Sequence, residues 1–130
     1  MTSDKKKLRI LLVDDHAVLR QSIRMMLEDL PDMGVAGEAD SGAAAIEACR
    51  SNDYDVVLLD VRLPDSTGQE VARKLKALSS EMKIIALSMR DEEIVRQEMY
   101  RAGADGFVSK ADGAGALIEK IRECIGGGQH

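Results

Sequence analysis

Along this chain, apolar runs of strand length alternate with longer segments whose apolar positions recur every three or four residues. Leu8 to Val13 is nearly continuously apolar, as a strand buried on both faces should be. Ala17 to Leu30 then places Val18, Ile23, Met26, Leu27 and Leu30 at helical spacing, with Pro31 as its stop. Gly34 to Ala39 predicts a weaker strand whose glycines suit a sheet edge or a close helix approach, and Ser41 is the N-cap of a helix carrying Ala44, Ala45, Ala48 and Cys49. Asp55 to Leu59 predicts a third strand, the stretch with Pro64, Asp65 and Gly68 a loop, and Gln69 to Leu78 a helix. Lys83 to Leu87 follows as a strand, Asp91 to Ala102 as a helix capped by Asp91, and Phe107 to Val108 as a short strand after a glycine turn. Leu117, Ile118, Ile121 and Ile125 stripe the last helix. Strands and helices alternating in this way predict an α/β domain, a parallel sheet with helices on both faces.

Length and charge narrow this further. At 130 residues and 45% hydrophobic content, the chain suits one domain with a real core. Its net charge of −5 disfavours nucleic-acid binding through the bulk field. Cys49 and Cys124 lack metal-ligand spacing and read as small buried hydrophobes in a reducing cytoplasm. The run Lys5 to Lys7 reads as solvated, and the apolar residues after it are too few for a signal-peptide core or a membrane span. A soluble, cytoplasmic protein with no membrane partner is the expectation. The methionines, Met25, Met26 and Met99 among them, read as core filler.

The chemistry lies where apolar runs stop. Asp14 and Asp15 follow the first strand, Asp60 the third, Ser88 the fourth and Lys110 the fifth. A parallel sheet delivers such residues to one edge, where they can form one shallow site. Carboxylates about 4 Å apart repel by roughly 4 kcal/mol at an effective dielectric near 20, so the acids call for a positive partner. Mg²⁺ fits, because it prefers oxygen ligands and is commonly held by one or two carboxylates plus a phosphate. Lys110 can pair with a phosphoryl oxygen and the Ser88 hydroxyl can donate to it. Asp60, alone at its strand end, is the best candidate nucleophile for phosphoryl transfer, while Asp14 and Asp15 read as a metal-holding pair. Taken singly these residues are bland: a lone Asp before a helix is usually a cap, a lone Ser88 an ordinary polar end, a lone Phe107 core, and His16 a solvated first-turn residue, since Mg²⁺ favours oxygen.

The segments "LLVDDH", "LLDVRLPDSTG", "LS" and "GFVSK" resemble the receiver domain of bacterial two-component response regulators, and "VDDHAVLRQSIRMMLE", "LSMRD" and "AGADGFVSKAD" resemble its NarL/FixJ subfamily. The resemblance implies a flavodoxin-like doubly wound (βα)5 fold, with a five-stranded parallel sheet in the order 2-1-3-4-5. It implies Asp60 as phosphoacceptor; Asp15, Asp60 and the Arg62 backbone carbonyl as Mg²⁺ ligands, with Asp14 acting through a metal-bound water; Lys110 as the phosphate-binding lysine; and Ser88 and Phe107 as a switch pair. It further implies a histidine kinase as phosphoryl donor, homodimerisation on phosphorylation, and contact with DNA only through a C-terminal LuxR-type domain absent from this chain. On this reading residues 1–125 are the receiver and 126–130 a flexible tail or the start of a linker. The protein assists its own phosphorylation and dephosphorylation without being a conventional enzyme. Ala111 stands where the family commonly has a proline behind a cis bond; without the proline such a bond costs about 2.5 to 4 kcal/mol, so a trans bond or a rebuilt loop is expected. Neither Arg62 nor Met89, which flank the acceptor in the family's arrangement, suits the positioning of an attacking water, which predicts a phosphoryl lifetime of minutes or longer.

Three other functions compete. A Mg²⁺-dependent aspartyl phosphatase of the haloacid dehalogenase type would carry D-x-D after its first strand, not an adjacent pair, and needs more chain for a cap. A flavodoxin-like nucleotide binder needs a Gly- or Ser/Thr-rich loop there, whereas Asp14 and Asp15 repel phosphate. A receiver-like interaction module that is never phosphorylated remains the third.

Overall fold

In the computed structural model, which describes residues 7–126, β1 (Leu8–Val13), α1 (Ala17–Glu28), β2 (Met33–Ala39), α2 (Gly42–Ser51), β3 (Val56–Asp60), α3 (Gly68–Leu78), β4 (Lys83–Ser88), α4 (Glu93–Arg101), β5 (Gly106–Ser109) and α5 (Gly113–Gly126) follow in strict alternation. All strands pair in parallel, in the order β2-β1-β3-β4-β5. This is the doubly wound order expected from the sequence.

Alternation within each strand sends side chains to two separate cores. Leu11, Val13, Val57, Leu59, Ile84 and Ala86 pack under α2, α3 and α4, while Ile10, Leu12, Val56, Leu58, Ile85 and Leu87 pack under α1 and α5. Every residue of β3 is buried, as suits a central strand. The glycine-bearing β2 lies at the sheet edge, and a Cβ on Gly37 would collide with the Tyr54 hydroxyl. Ser41 caps α2 as expected, its hydroxyl accepting from the Ala44 N–H at 3.1 Å.

Several local expectations fail for identifiable reasons. Helix α1 ends at Glu28, short of Leu30, because Asp29 and Leu30 already turn the chain ahead of Pro31. Val18 and Met25 are 78% and 61% exposed, so neither is core: they share the solvent face of α1, opposite Ile23 and Leu27. Asp91 does not cap α4. Glu92 holds the N-cap position without a side-chain bond, and Asp91 pairs with Arg96 instead. Gly126 closes α5 rather than opening a tail, while residues 127–130 lie outside the described residues. No peptide bond among the described residues is cis, so Lys110–Ala111 is trans and leads into a single 3-10 turn at Lys110–Asp112. Among the described residues, no helix is long and apolar enough to cross a membrane.

Candidate phosphoryl and metal site

The sheet's register brings the polar strand ends together. Val13 pairs with Leu59, Asp60 with Leu87 and Ser88 with Ser109, so β1, β3, β4 and β5 stop at nearly one level. Asp14 and Asp60 are only 2% and 5% exposed, far less than isolated carboxylates tolerate. Lys110 reaches both, its Nζ 2.8 Å from Asp14 Oδ2 and 3.1 Å from Asp60 Oδ2. The contact to Asp14 is an ion pair without hydrogen-bond alignment, which leaves Asp14 Oδ2 buried with no aligned donor.

The other oxygens are held by backbone. Asp14 Oδ1 accepts from the His16 N–H at 2.9 Å and lies 2.8 Å from the His16 ring Nδ1. Asp60 Oδ1 accepts from the Arg62 N–H at 3.0 Å. Burial alone would raise the Asp14 carboxyl, but the Lys110 ammonium and the His16 nitrogens outweigh it and hold the group below the usual carboxylate range. Burial pushes the Asp60 carboxyl up; the Arg62 N–H opposes this, the charge on Asp14 adds to it, and the group ends above its usual value. Burial works against the Lys110 ammonium, yet the two carboxylates overcome it and raise its pKa. One lysine thus serves two buried acids, and the cluster is one positive charge short.

Ligand atoms of Asp14, Asp15, His16 and Asp60 all lie within 4.8 Å of one another. An oxygen-rich set in which two buried carboxylates share one lysine suits a hard divalent cation such as Mg²⁺. His16 is exposed, as expected, yet its ring touches both acids, at 2.8 Å from Asp14 and 3.3 Å from Asp15. A cavity of about 530 Å³ opens over the cluster, lined among others by Asp15, Asp60, Arg62, Ser88, Met89 and Lys110. Ser88 is buried on its floor, its hydroxyl 3.4 Å from the Arg90 N–H. Phe107 does not line this cavity. Its ring is buried in the core under α4, with the Arg96 guanidinium 5.0 Å above its centroid.

Three participants escaped the sequence reading. Arg20 donates to the Asp14 carbonyl, Asp65 accepts from the Gly42 and Ala43 N–H groups at 2.8 and 3.0 Å, and Arg96 covers Phe107. Arg20 and Arg96 look like solvated helix charges in sequence, and the partners of Asp65 lie 23 and 22 residues away, so no local signal marks any of them.

Comparison with known proteins gives the family. The model of the response regulator receiver domain family matches residues 10–122. The response regulator UvrY of Escherichia coli is 38% identical over 120 residues, which is 92% of this chain and 55% of that protein. The response regulator GacA of Pseudomonas viridiflava is 35% identical over 92% of this chain and 56% of its own length. The chain therefore spans about half the length of the curated relatives it matches. Among solved structures, a two-component response regulator of the LuxR family from Aurantimonas sp. superposes with a TM-score of 0.89 at 29% identity, covering 94% of this chain and 87% of that one.

Proposed function

Because this chain belongs to the response regulator receiver domain family, within the NarL/FixJ group, we propose that Asp60 is its phosphoacceptor, taking a phosphoryl group from a histidine kinase with Mg²⁺ as cofactor. The observation that carries the reading is the sharing of Lys110 between two buried carboxylates, Asp14 and Asp60. Asp15, Asp60 and the Arg62 carbonyl would hold the metal directly. Asp14, whose Oδ1 is already engaged by His16, would act through a metal-bound water. When bound, Mg²⁺ neutralises charge on the transferring phosphoryl oxygens.

The chain's own groups do the rest. An Asp60 carboxylate oxygen attacks phosphorus, the bond from phosphorus to the donor nitrogen breaks, and its electron pair leaves on the imidazole. Lys110 then pairs with an oxygen of the acyl phosphate, to which the buried Ser88 hydroxyl donates. Phe107 is already buried, so its part in the switch is a repacking beneath Arg96 rather than the burial of an exposed ring. The changed surface is α4, β5 and α5, which supports a homodimer on phosphorylation. The receiver runs to the end of α5 at Gly126, with the chain beyond leading toward a linker and a DNA-binding domain that carries the transcriptional output. With Arg62 and Met89 at the cavity rim and neither suited to direct water, the acyl phosphate persists for minutes or longer.

Receiver domains are generally signal transducers rather than enzymes, so the test is stoichiometric. Intact mass after incubation with acetyl phosphate should show one added phosphoryl group, only with Mg²⁺ and not in Asp60→Ala. Absence of any gain would mean an interaction module that is never phosphorylated. A gain surviving Asp60→Ala would place the acceptor elsewhere.

A further inference from the structure

We infer that Arg20 is a positioning residue: its guanidinium, anchored on Glu38, fixes the Asp14–Asp15 peptide and so presents the Asp15 carboxylate to the cation. This rests on the Mg²⁺ reading above and deepens it. The backbone of Asp14 is gripped from both sides. Its N–H donates to the Ala39 carbonyl at 3.0 Å, and its carbonyl accepts from Arg20 Nη1. Arg20 opens the second turn of α1, with its own N–H on the His16 carbonyl at 3.1 Å, and a helical side chain leans toward the helix N-terminus, here the end of β1.

The guanidinium is itself immobilised. Its Nε donates to Glu38 Oε1 at 2.9 Å, and the Arg20 side chain is only 17% exposed. Glu38 pairs with Leu12 across β1 and β2, and Arg24 holds its other oxygen at 2.8 Å from Nε. Arg24 and Arg20 together hold the Glu38 carboxyl below its usual range. The Glu38 charge also offsets that of Arg20, so the guanidinium can stand near a dication without repelling it strongly.

The consequence follows from the planarity of the peptide. The Asp14 carbonyl and the Asp15 N–H belong to one rigid plane, so fixing its oxygen fixes where the Asp15 side chain starts. Asp15 needs this. It is exposed, and among the described residues its carboxylate meets only the His16 ring, 3.3 Å away. Mg²⁺ demands near-octahedral geometry, and groups that orient its ligands are commonly worth 10- to 100-fold in affinity. Lysine could not replace Arg20, because a point charge cannot serve a carbonyl and a carboxylate in two fixed directions.

The test is Mg²⁺ affinity by calorimetry for the parent, Arg20→Ala, Arg20→Lys, Glu38→Gln and Arg24→Ala. Arg20→Ala should weaken Mg²⁺ binding about 10-fold or more. Arg20→Lys should recover only part of this and Glu38→Gln should fall between. Arg24→Ala, which strips an ion pair from the same Glu38 but leaves the Asp14 carbonyl bonded, should stay within about twofold. Phosphorylation by acetyl phosphate at saturating Mg²⁺ should return close to the parent rate in Arg20→Ala, since the acceptor is untouched. Parent-like affinity in Arg20→Ala, or an equal loss in Arg24→Ala, would overturn the inference. If Arg20→Ala does not fold, Glu38→Gln decides by the same criterion. A parent that binds no Mg²⁺ would instead sink the metal reading, and this inference with it.

Discussion

The two ends of this sheet use the same residue types to opposite effect. At the amino end, Asp55, Asp105 and Lys76 each find aligned partners. Asp55 accepts from the Arg9 N–H at 2.7 Å, Asp105 accepts from the Ile84 N–H and from Lys76 Nζ at 2.9 Å each, and Lys76 also donates to the Met82 carbonyl at 2.7 Å. At the carboxyl end, Lys110 is divided between Asp14 and Asp60, and Asp14 Oδ2 is buried without an aligned donor. A protein selected for stability alone would balance both ends, because buried charges that are incompletely paired are destabilising. The imbalance at one end is therefore capacity: a place where a cation and a phosphoryl group complete what the chain leaves incomplete.

The most damaging way to test the contrast is to unbalance the amino end. Asp105→Ala removes the acceptor of the buried Ile84 N–H together with the partner of Lys76, and should cost about 2 kcal/mol in urea unfolding. Mg²⁺-dependent phosphorylation of the folded fraction should not change. A negligible cost would mean that the amino end is not held by these bonds.

Neutralising the carboxyl end should do the reverse. Asp60→Asn leaves Lys110 with one acid, and in EDTA at neutral pH the variant should be more stable than the parent by on the order of 1 kcal/mol. The pH dependence gives the sign independently. The Asp60 carboxyl is raised in the folded state, so the folded parent holds its proton where the unfolded chain, titrating near 3.9, has released it. The parent is thus unpenalised below about pH 3.9 and loses stability as pH rises through the folded value, while asparagine does not titrate. The advantage of Asp60→Asn should be full at neutral pH and fade toward pH 4. A variant less stable than the parent at neutral pH would mean that the two carboxylates are balanced after all.

This contrast also separates what could be read from sequence from what could not. The parallel sheet, the strand-end acids, Ser88 and Lys110 were legible because the period of the apolar runs fixes both the layers and the edge to which each strand end is delivered, whereas the strand order came only from the resemblance to receiver domains. Asp14 with Asp15 was legible as a pair because adjacency at a strand end is itself a local pattern. Arg20, Asp65 and Arg96 were not, since their roles depend on partners in other elements. Val18 and Met25 misled for the converse reason: helical spacing identifies a face, yet the face of α1 is narrower than its apolar residues, and two of them fall on the solvent side. Asp91 misled because a nearby arginine, one turn on, offered its carboxylate more than the helix N-terminus did.

The finest test concerns Arg96 and Phe107, a charged contact near the carboxyl end that resembles the amino end in being satisfied. Arg96 lies over the ring at 5.0 Å and pairs with the exposed Asp91. The ion pair, open to solvent, contributes little, so the stack should dominate. A double-mutant cycle of Arg96→Met and Phe107→Leu, read by urea unfolding, should give a coupling of about 0.5 to 1 kcal/mol. Mg²⁺ alone should leave that coupling unchanged, because neither side chain belongs to the cluster that lacks a positive charge. A coupling that moved with Mg²⁺ would show that the unbalanced region extends through β5 to α4, and that the two ends of the sheet differ by more than the acids and their lysine.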